Sequence, residues 1–525
     1  MQPRGYIRFM TRLWTFAVVC WCMSSCSMIW SEAEELQQCK VIQTVSLNLT
    51  IAHPDASIHT RADLEYDDLT FSRNEASVKS LTAFLVDLNA DGTEIYGEGK
   101  VKYFSTEIDP SEFKSGIYVL RQTLEVETGV KHVYVGANLK EEHIKAFINN
   151  KPLTLNGEGP AVNMVMTPDP SHTGQGTDIA MFGQLLNRND RSKRIEIKED
   201  TRDYYLHADL ERLTAKVLLT CKEDENLIGY VETEDEGWVE ISKVRYMLNT
   251  TNRHTYINKH RDESYDRNID PNWKVEESLV EGSKVTPVEG LFESWKTEEL
   301  RQRLFDERFS TAALKYDETR IGEGNKESHY TEGIYCLENT TFNDSYLIGN
   351  EKDAAAKELT THIVIAIRFI PKKVYTGGNV INGQGPTQMD LDNVFTNYLV
   401  AVDGHEVGTY WTRTDANGKV YYYGNYSKNQ YITKYGASEN DFTCYEGGWS
   451  YYTTFIDGTP ENLQISYAGR ECWGVERDHY YILSIDKITK PGAQIPSDDY
   501  IRVNSKTIPW VNRGSKEVII KPKGE

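Results

Sequence analysis

The sequence predicts a mostly β protein made of two tandem β-sandwich domains with a few short helices. Short apolar stretches, several of them alternating with polar residues, recur at short intervals and are typical of sandwich strands. Thirty-two tyrosines favour β structure, because aromatic residues are enriched in strands. A length of 525 residues with 39% hydrophobic content is enough for about two or three domains with a large core.

The first residues are expected to direct export. Three arginines and no acid lie within residues 1–12, and an apolar run follows over residues 13–23. That run has the length of a signal-peptide core and is too short to span a bilayer. Ser24 and Ser25 come directly before Cys26, a pattern that resembles a bacterial lipobox, in which the cysteine is lipidated and the peptide is cut before it. We expect Cys26 to carry a lipid; an ordinary secretory signal with a chance cysteine is the alternative.

A strand with one buried face is predicted shortly after this signal. Apolar and polar residues alternate through residues 45–51, with the apolar positions at Val45, Leu47, Leu49 and Ile51. A polar run over residues 53–60 then ends at Arg61, which is followed by Ala62. The export signal lies before this strand and a candidate cleavage residue, Arg61, lies after it. A strand in this position can be cut from the rest of the chain and removed.

Strand patterns continue through the first half of the chain. We expect strands at residues 81–86, 101–104, 117–120, 132–135 and 213–219. One helix is predicted over residues 141–149, because Ile144, Phe147 and Ile148 share a face and acids occupy the first turn. The strand at 213–219 is expected to close this half, and the polar residues 222–226 are the candidate boundary.

The second half is predicted to repeat this pattern around one long charged segment. Residues 250–325 show little alternation and are interpreted as an elaborate surface loop with a candidate helix at 298–309. Strands are expected at residues 238–241, 244–248, 363–369, 398–401, 420–423, 451–455, 463–467 and 480–485.

The C-terminal segment has the features of a detachable strand pair. A linker containing proline and glycine, residues 490–499, precedes strand patterns at residues 500–511 and 517–521. Fully extended, residues 500–525 span roughly 80 Å at about 3.3 Å per residue, which is enough to leave the parent domain and lie along a neighbour. The candidate donor-strand side chains are Ile508, Trp510, Val518, Ile519 and Ile520.

Charge and cysteine usage exclude several classes of function. The net charge of −21 argues against nucleic acid or an anionic membrane surface as the partner. The cysteines outside the signal form no CxxC pair and no Cys/His spacing suited to zinc, so neither a metal site nor a cofactor is predicted. Cys444 and Cys472 flank one apparent hairpin region and are a candidate disulfide; two unrelated buried thiols are the alternative.

One calcium-loop pattern is formally complete. The spacing of an EF-hand loop is met by Asp87, Asn89, Asp91, Gly92 and Glu98. An EF-hand loop joins two helices, whereas this stretch leaves a predicted strand. A β-hairpin loop is therefore the preferred interpretation.

The sequence carries no recognisable catalytic motif. GxSxG, HExxH and GxxxxGK[ST] are absent, and none of the twelve histidines falls in a nucleophile or metal motif. Adjacent acids such as Asp67 and Asp68 are interpreted as solvated surface rather than as a glycosidase pair. We therefore predict no catalytic residue and no enzyme, and keep a cell-surface hydrolase as a third hypothesis.

Taken together, these segments resemble the fimbrillins of type V pili, and within that family the major subunit of the short (minor) fimbriae. The most specific part is the order of the C-terminal segments: residues 474–490, a proline-bearing linker and Ile508-Pro509-Trp510. The resemblance extends over most of the chain, with further similar segments at residues 81–88, 130–139, 211–217, 241–246, 335–340 and 365–373.

The resemblance implies sandwiches of transthyretin-like/Greek-key type and a polymerisation mechanism. Family members reach the outer membrane as lipoproteins with palmitate, an Arg-specific protease cuts beyond the first strand, and a strand of the next subunit fills the vacated groove. On this sequence it implies lipidation at Cys26, cleavage between Arg61 and Ala62, loss of the strand at 44–53 and a donor after Tyr500. Arg73 is a second candidate cut site. The charged segment 250–325 and the short linker after Lys490 depart from the family pattern.

The implied division of the chain has five parts. These are a signal peptide at 1–25, a propeptide with the removable strand at 26–61, β-sandwich domains at 62–221 and 222–490, and a linker with the donor segment at 491–525.

The function expected from this resemblance is that of a structural pilin of the fimbrial shaft, used in adhesion. It implies an outer-membrane lipoprotein precursor that becomes part of an extracellular fimbrium. The implied partners are identical subunits in a head-to-tail filament, an Arg-specific protease, accessory anchor and tip fimbrial proteins, and host or bacterial surface ligands, without nucleic acid. Two alternatives remain: an anchor or tip accessory subunit, which would lack one of the two exchange strands, and a monomeric glycan-binding surface lipoprotein.

Overall fold

The chain is mostly β, with several sheets and three short helices among the residues that the structure describes, as predicted. The computed structural model describes residues 41–52, 78–108, 117–154, 161–168, 176–222, 230–232, 237–240, 243–262, 267–268, 271, 280–281, 284–285, 292–316, 333–339, 360–376, 379–382, 404–456, 474–485, 491–496 and 504–509.

The strands are numbered in chain order. The first are β1 (Ile42–Ala52), β2 (Ser80–Asp87), β3 (Lys102–Glu107), β4 (Ile117–Glu127), β5 (Gly129–Ala137), β6 (Leu153–Thr154), β7 (Thr167–Pro168), β8 (Gly176–Thr177), β9 (Met181–Asn187), β10 (Arg194–Ile197), β11 (Asp203–Asp209) and β12 (Glu211–Arg212). Next come β13 (Thr214–Lys222), β14 (Tyr230–Glu232), β15 (Gly237–Glu240), β16 (Arg245–Asn249), β17 (Thr251–Asn252), β18 (His254–Thr255), β19 (Arg261–Asp262), β20 (Arg267–Asn268), β21 (Val280–Glu281), β22 (Lys284–Val285), β23 (Phe292–Glu293), β24 (Ser310–Ala312), β25 (Leu314–Tyr316) and β26 (Ile334–Leu337). The last are β27 (His362–Pro371), β28 (Lys373–Thr376), β29 (Asn379–Asn382), β30 (Tyr410–Thr414), β31 (Val420–Tyr423), β32 (Thr443–Tyr445), β33 (Trp449–Phe455), β34 (His479–Ile485) and β35 (Asn504–Pro509).

The first sheet has nine strands, and it folds over to enclose a core. Its order is β3-β2-β5-β9-β11-β1-β4, with β10 on β5 and β12 on β9. β9 and β11 are joined at only two residue pairs, Leu206 with Asn187 and His207 with Leu186. Side chains of β1 and β11 share one apolar cluster with those of β2 and β5. The two parts of the sheet therefore pack face to face, as in a sandwich.

A second core lies between later sheets. One has the order β25-β13-β34-β35 with β26 on β13, and the other β14-β15-β27-β16-β24 with β33 on β27. Val217 on β13 and Leu483 on β34 share a buried cluster with Tyr246 on β16 and Ile365 on β27. A further five-stranded sheet, β29-β28-β31-β30-β32, adds Tyr410 and other tyrosines to the same cluster.

The strand that was expected to close the first half pairs with later strands. β13 is bonded to β25, β26 and β34, whereas β12, which ends at Arg212, is bonded to β9 of the first sheet. The change of sheet thus falls at residue 213, ahead of the candidate boundary at 222–226. Pairing between distant segments decides sheet membership, so local alternation does not reveal it. The domain ranges 62–221 and 222–490 stay a prediction.

The three helices are α1 (Glu141–Ile148), α2 (Thr297–Leu304) and α3 (Asn425–Tyr435). α1 confirms the helix predicted at 141–149 and buries Phe147 and Ile148. α2 confirms the candidate helix at 298–309, although it ends at Leu304, and several two-residue strands lie in the rest of the segment 250–325 that was interpreted as a loop. α3 was not predicted. No helix in the described ranges is long and apolar enough to cross a membrane.

A buried ion pair joins the chain before β34 to the residue that follows β26. Nη2 of Arg477 lies 3.3 Å from Oε1 of Glu338, and the two side chains are only 3% and 2% exposed. The guanidinium also donates to the carbonyl oxygens of Tyr256, at 2.7 Å, and Ile257, at 3.2 Å. Ile257 belongs to an apolar cluster with Phe84 of β2. Arg477 therefore connects the chain before β34 to the first sheet.

Candidate functional site

The predicted removable strand occupies an interior position in the first sheet. β1 runs antiparallel to β4 along its whole length and parallel to β11 from Ser46 to Ala52. Leu49, for example, is opposite Leu120 on β4 and Leu206 on β11. Backbone hydrogen bonds can therefore form on both sides of β1.

The alternation read from the sequence corresponds to burial in the structure. Val45, Leu47, Leu49 and Ile51 are each 0% exposed and lie in the core cluster between the two parts of the sheet. Burying four aliphatic side chains at roughly 1.5 to 3 kcal/mol each stabilises the fold by about 6 to 12 kcal/mol. That is comparable with the whole stability of a typical domain. Whether the strand is removed in the mature protein stays a prediction.

The outer face of β1 is held by weaker polar contacts. The Ser46 hydroxyl lies 3.4 Å from the Thr123 hydroxyl, and the Asn48 amide lies 3.5 Å from the Asp203 carboxylate. Asp203 also lies 3.3 Å from the Arg121 guanidinium, and both of these side chains are about half exposed or more. Exposed pairs of this kind contribute little, so the buried face and the backbone hold β1 in place.

β4 depends on β1. Among the described strands, β4 is bonded to β1 and to no other strand. Loss of β1 would leave β4 and β11 flanking an empty groove. Residues 53–79 connect β1 to β2, and the candidate cleavage residues Arg61 and Ala62 lie there, outside the described residues.

Part of the predicted donor segment lies in the chain's own sheet. β35 pairs antiparallel with β34, with Ile508 opposite Tyr480 and Pro509 opposite His479. Ile508 is therefore bonded within the chain at the edge of the β25-β13-β34-β35 sheet. The other candidate donor side chains, Trp510, Val518, Ile519 and Ile520, lie outside the described residues, as does the candidate lipidation site Cys26.

Cys444 carries a free thiol in the structure, and its predicted disulfide with Cys472 stays a prediction. Cys444 lies on β32, and its thiol faces the turn that precedes β30, where His405 lies nearby. Cys472 is outside the described residues. Cys336 also has a free thiol, which is buried, and burial raises its pKa to about 12.

The calcium-like stretch forms a loop after a strand, as the hairpin interpretation expected. Asp87 is paired with Lys131 of β5. Asp91 accepts hydrogen bonds from the backbone and hydroxyl of Thr93, and these bonds lower its pKa. Gly92 has a φ of 87°, which glycine adopts without strain. These contacts account for Asp87 and Asp91, and a calcium site stays a prediction that was not preferred.

Glu94, in the same loop, is the centre of a half-buried polar cluster. Its carboxylate accepts hydrogen bonds from Tyr134 and from Tyr96, and lies 2.6 Å from Nδ1 of His132. Burial alone would raise the pKa of Glu94, but the bonds from His132, Tyr134 and Tyr96 outweigh it and hold the pKa below its usual value. The cluster fastens the β2–β3 connection onto β5.

A cleft of about 490 Å³ lies where the two edge strands of the first sheet, β3 and β4, approach each other. Phe104 of β3 and Leu124 of β4 line it together with Lys145 of α1. Tyr103 is also at the cleft and is 51% exposed. The cleft thus combines an aromatic surface with charged groups.

Sequence reasoning missed the parallel neighbour of β1. In β11, Tyr204, Leu206 and Ala208 are buried and alternate with exposed or half-buried residues. This alternation could have identified the strand. Tyr205 and His207 on the opposite face, however, reduce the contrast between apolar and polar positions. α3 was missed because it has no apolar stripe; its buried residues are Ser427 and Lys428.

No protein-family model matches the chain, and no curated protein matches it. Three similar solved structures are a proposed cell adhesion protein from Parabacteroides distasonis, the tip fimbrial protein Mfa3 from Porphyromonas gingivalis with a C-terminal truncation, and a second proposed cell adhesion protein from Parabacteroides distasonis. The identities are 15%, 12% and 10%, and the TM-scores are 0.37, 0.34 and 0.40. The matches cover 90%, 89% and 89% of this chain and 99%, 100% and 96% of those chains. Scores below 0.5 do not establish a common fold, so these similarities assign no function to this chain.

Proposed function

We propose that this chain is a shaft subunit of an adhesive surface fimbrium, exported as an outer-membrane lipoprotein and assembled by donor-strand exchange. In this proposal Cys26 carries the lipid, and a protease cuts after Arg61. β1 then leaves, and a strand from the next subunit takes its place. Fimbrial and cell-adhesion proteins are named among the solved structures above, but the proposal rests on the first strand and not on those names.

The observation that carries the proposal is the position of β1. β1 carries four fully buried side chains and is inserted between β4 and β11. Arg61 lies between β1 and β2 in the sequence and outside both strands. Cleavage there would leave β1 held only by non-covalent contacts. Its departure would open a groove with backbone groups on both walls, and such a groove is refilled by strand addition.

The segment after β35 is the proposed donor. Residues 510–525 span roughly 50 Å at about 3.3 Å per residue, which exceeds the length of the 11-residue β1. Val518 and Ile520 would point to the same face of an extended strand. They can fill two of the four positions that β1 vacates, while β35 stays in its own sheet and anchors the segment.

Digestion with an Arg-specific protease followed by electron microscopy tests the proposal. We expect filaments from the cut chain, none from the cut Arg61→Ala variant, and filaments from the cut Arg73→Ala control. A chain lacking residues 510–525 can accept a strand but cannot donate one. When this truncated chain is cut and mixed with the cut parent chain, we expect shorter filaments, because a filament stops growing at a subunit that cannot donate a strand. Monomers under every condition would contradict strand exchange.

Two alternatives make different predictions. An anchor or tip subunit would end filaments of another chain without forming its own. A monomeric glycan-binding lipoprotein is favoured by the cleft at Tyr103 and Phe104, because sugars stack on exposed aromatic rings. That alternative predicts glycan binding by the uncut monomer that is lost in Tyr103→Ala.

A further inference from the structure

Three side chains of different chemistry meet beside the edge strand β32. His405, Cys444 and Glu446 each offer a ligand atom, and these atoms all lie within 4.8 Å of one another. His405 lies in the turn that precedes β30, Cys444 on β32, and Glu446 in the turn that follows β32. Because Trp411 on β30 is opposite Cys444 on β32, strand pairing brings the two turns together. No local spacing in the sequence reveals this group.

The two turns are fastened independently of the three side chains. Arg368 donates to the carbonyl oxygen of Gly447 at 3.0 Å and to that of Val407 at 3.1 Å, so one guanidinium spans both turns. The backbone N–H of Gly447 donates to the Thr409 hydroxyl at 2.8 Å. The positions of His405 and Glu446 are therefore set by a framework that does not need their own contact.

The contacts around Glu446 orient one of its oxygens. Oε1 accepts the backbone N–H of Glu406 and lies 3.1 Å from the Thr409 hydroxyl. Oε2 lies 2.7 Å from Nδ1 of His405. The group is thus an oriented carboxylate with its outer contacts satisfied, as is typical of metal ligands.

We propose that His405, Cys444 and Glu446 form a zinc-binding site that joins the two turns at the edge of this sheet. One imidazole nitrogen, one sulfur and one carboxylate oxygen are the ligand types that zinc accepts, and a thiolate disfavours calcium and magnesium. Three protein ligands leave the fourth position for water. The site is distinct from the strand-exchange groove and does not depend on it.

The distances require only side-chain adjustment. Tetrahedral zinc with bonds of about 2.0 to 2.3 Å holds its ligand atoms about 3.4 to 3.6 Å apart. The His405–Glu446 contact would open from 2.7 Å to that range, and Cys444 would move inward from at most 4.8 Å. Zinc binds cysteine as the thiolate, so binding at Cys444 would release the thiol proton.

Calorimetric titration of zinc into the full, tag-free chain tests the site. The protein is stripped with a chelator and kept in a phosphine reductant, so that Cys444 is a free thiol. We expect about one tight zinc per chain, and an affinity lower by about tenfold or more in Cys444→Ser and in His405→Ala. His207→Ala is the matched control, because His207 lies 3.1 Å from Asp209 in a surface pair without a thiol. Cys336→Ala is the control for loss of a thiol.

Cobalt supplies a second readout that a structural effect would not reproduce. A thiolate-to-cobalt charge-transfer band is expected in the parent chain and in Cys336→Ala, and it is expected to vanish in Cys444→Ser. Should Cys444→Ser fail to fold by circular dichroism, Glu446→Gln serves instead, because it keeps the shape and removes the charge. A reduced chain that binds no zinc, or a Cys444→Ser variant with parental affinity, would overturn the site.

Discussion

The Ser46 hydroxyl lies 3.4 Å from the Thr123 hydroxyl, and this contact joins β1 to β4 on the outer face of the first sheet. The neighbouring residue, Leu47, points the other way and is fully buried. β1 is therefore accessible on one face and holds the core together on the other. This combination makes its attachment measurable by substitutions on either face.

Shortening an inward side chain of β1 is expected to destabilise the uncut chain. Leu49→Ala removes methyl groups from a fully buried position and leaves a cavity, so the free energy of unfolding should fall by about 2 to 5 kcal/mol. Asn48→Ala, its neighbour on the outer face, should change it by about 0.5 kcal/mol or less. Urea denaturation of both variants gives the comparison. Equal losses in the two would mean that β1 is not part of the core.

The buried pair between Arg477 and Glu338 is expected to matter more than an exposed one. Arg477→Met removes the guanidinium contact with the buried Glu338 carboxylate and the bonds to the backbone of residues 256 and 257, at a cost of about 3 to 5 kcal/mol. Arg121→Met breaks the exposed pair with Asp203 and should cost about 0 to 1 kcal/mol. Thermal unfolding measures both, and a similar loss of stability in the two variants would contradict this assignment.

His143 in α1 is expected to make the fold sensitive to acid. Its Nδ1 accepts the backbone N–H of Lys140, and its Nε2 lies 2.5 Å from the Met164 carbonyl oxygen. Burial lowers its pKa from 6.5 to about 4. Between these values the unfolded chain binds a proton and the folded chain does not, so the contribution to stability is full above pH 6.5 and is lost as the pH falls towards 4.

The corresponding test compares two histidine variants. Stability measured from pH 7 to pH 4 should fall less steeply in His143→Gln than in the parent chain. His207→Gln, on the surface of β11, should keep the parental slope. An unchanged slope in His143→Gln would show that the buried imidazole does not set the acid sensitivity.

Local patterns predicted the elements that are encoded locally. The strict alternation at residues 45–51 specifies β1 and its buried face, because a strand places successive side chains on opposite sides. The first turn and the apolar face of α1 likewise specify that helix. α3 lacks such a face and is marked instead by Gly436, which follows its last turn with a φ of 65°.

Pairing between distant segments could not be predicted in the same way. β1 lies beside β11, and β13 beside β34, because of contacts that only the folded chain creates. The same holds for Cys444, which the fold brings close to His405, a residue about 40 positions earlier in the chain. β1 and its buried face could therefore be predicted from the sequence, but its pairing with two neighbours and the grouping of His405, Cys444 and Glu446 could not.

The central claim, that β1 must leave before the subunit assembles, is tested most directly by locking β1 in place. Ser46→Cys with Thr123→Cys puts two thiols where two hydroxyls now lie 3.4 Å apart, so oxidation should tie β1 to β4. The control is Thr82→Cys with Ser105→Cys, at hydroxyls 2.9 Å apart, which ties β2 to β3 and leaves β1 free.

Both double variants are cut with the Arg-specific protease and examined by electron microscopy before and after reduction. The oxidised Ser46→Cys/Thr123→Cys chain should stay monomeric although it is cut, and reduction should restore filaments. The oxidised control should form filaments in both states. Filaments from the oxidised, cut Ser46→Cys/Thr123→Cys chain would contradict the account.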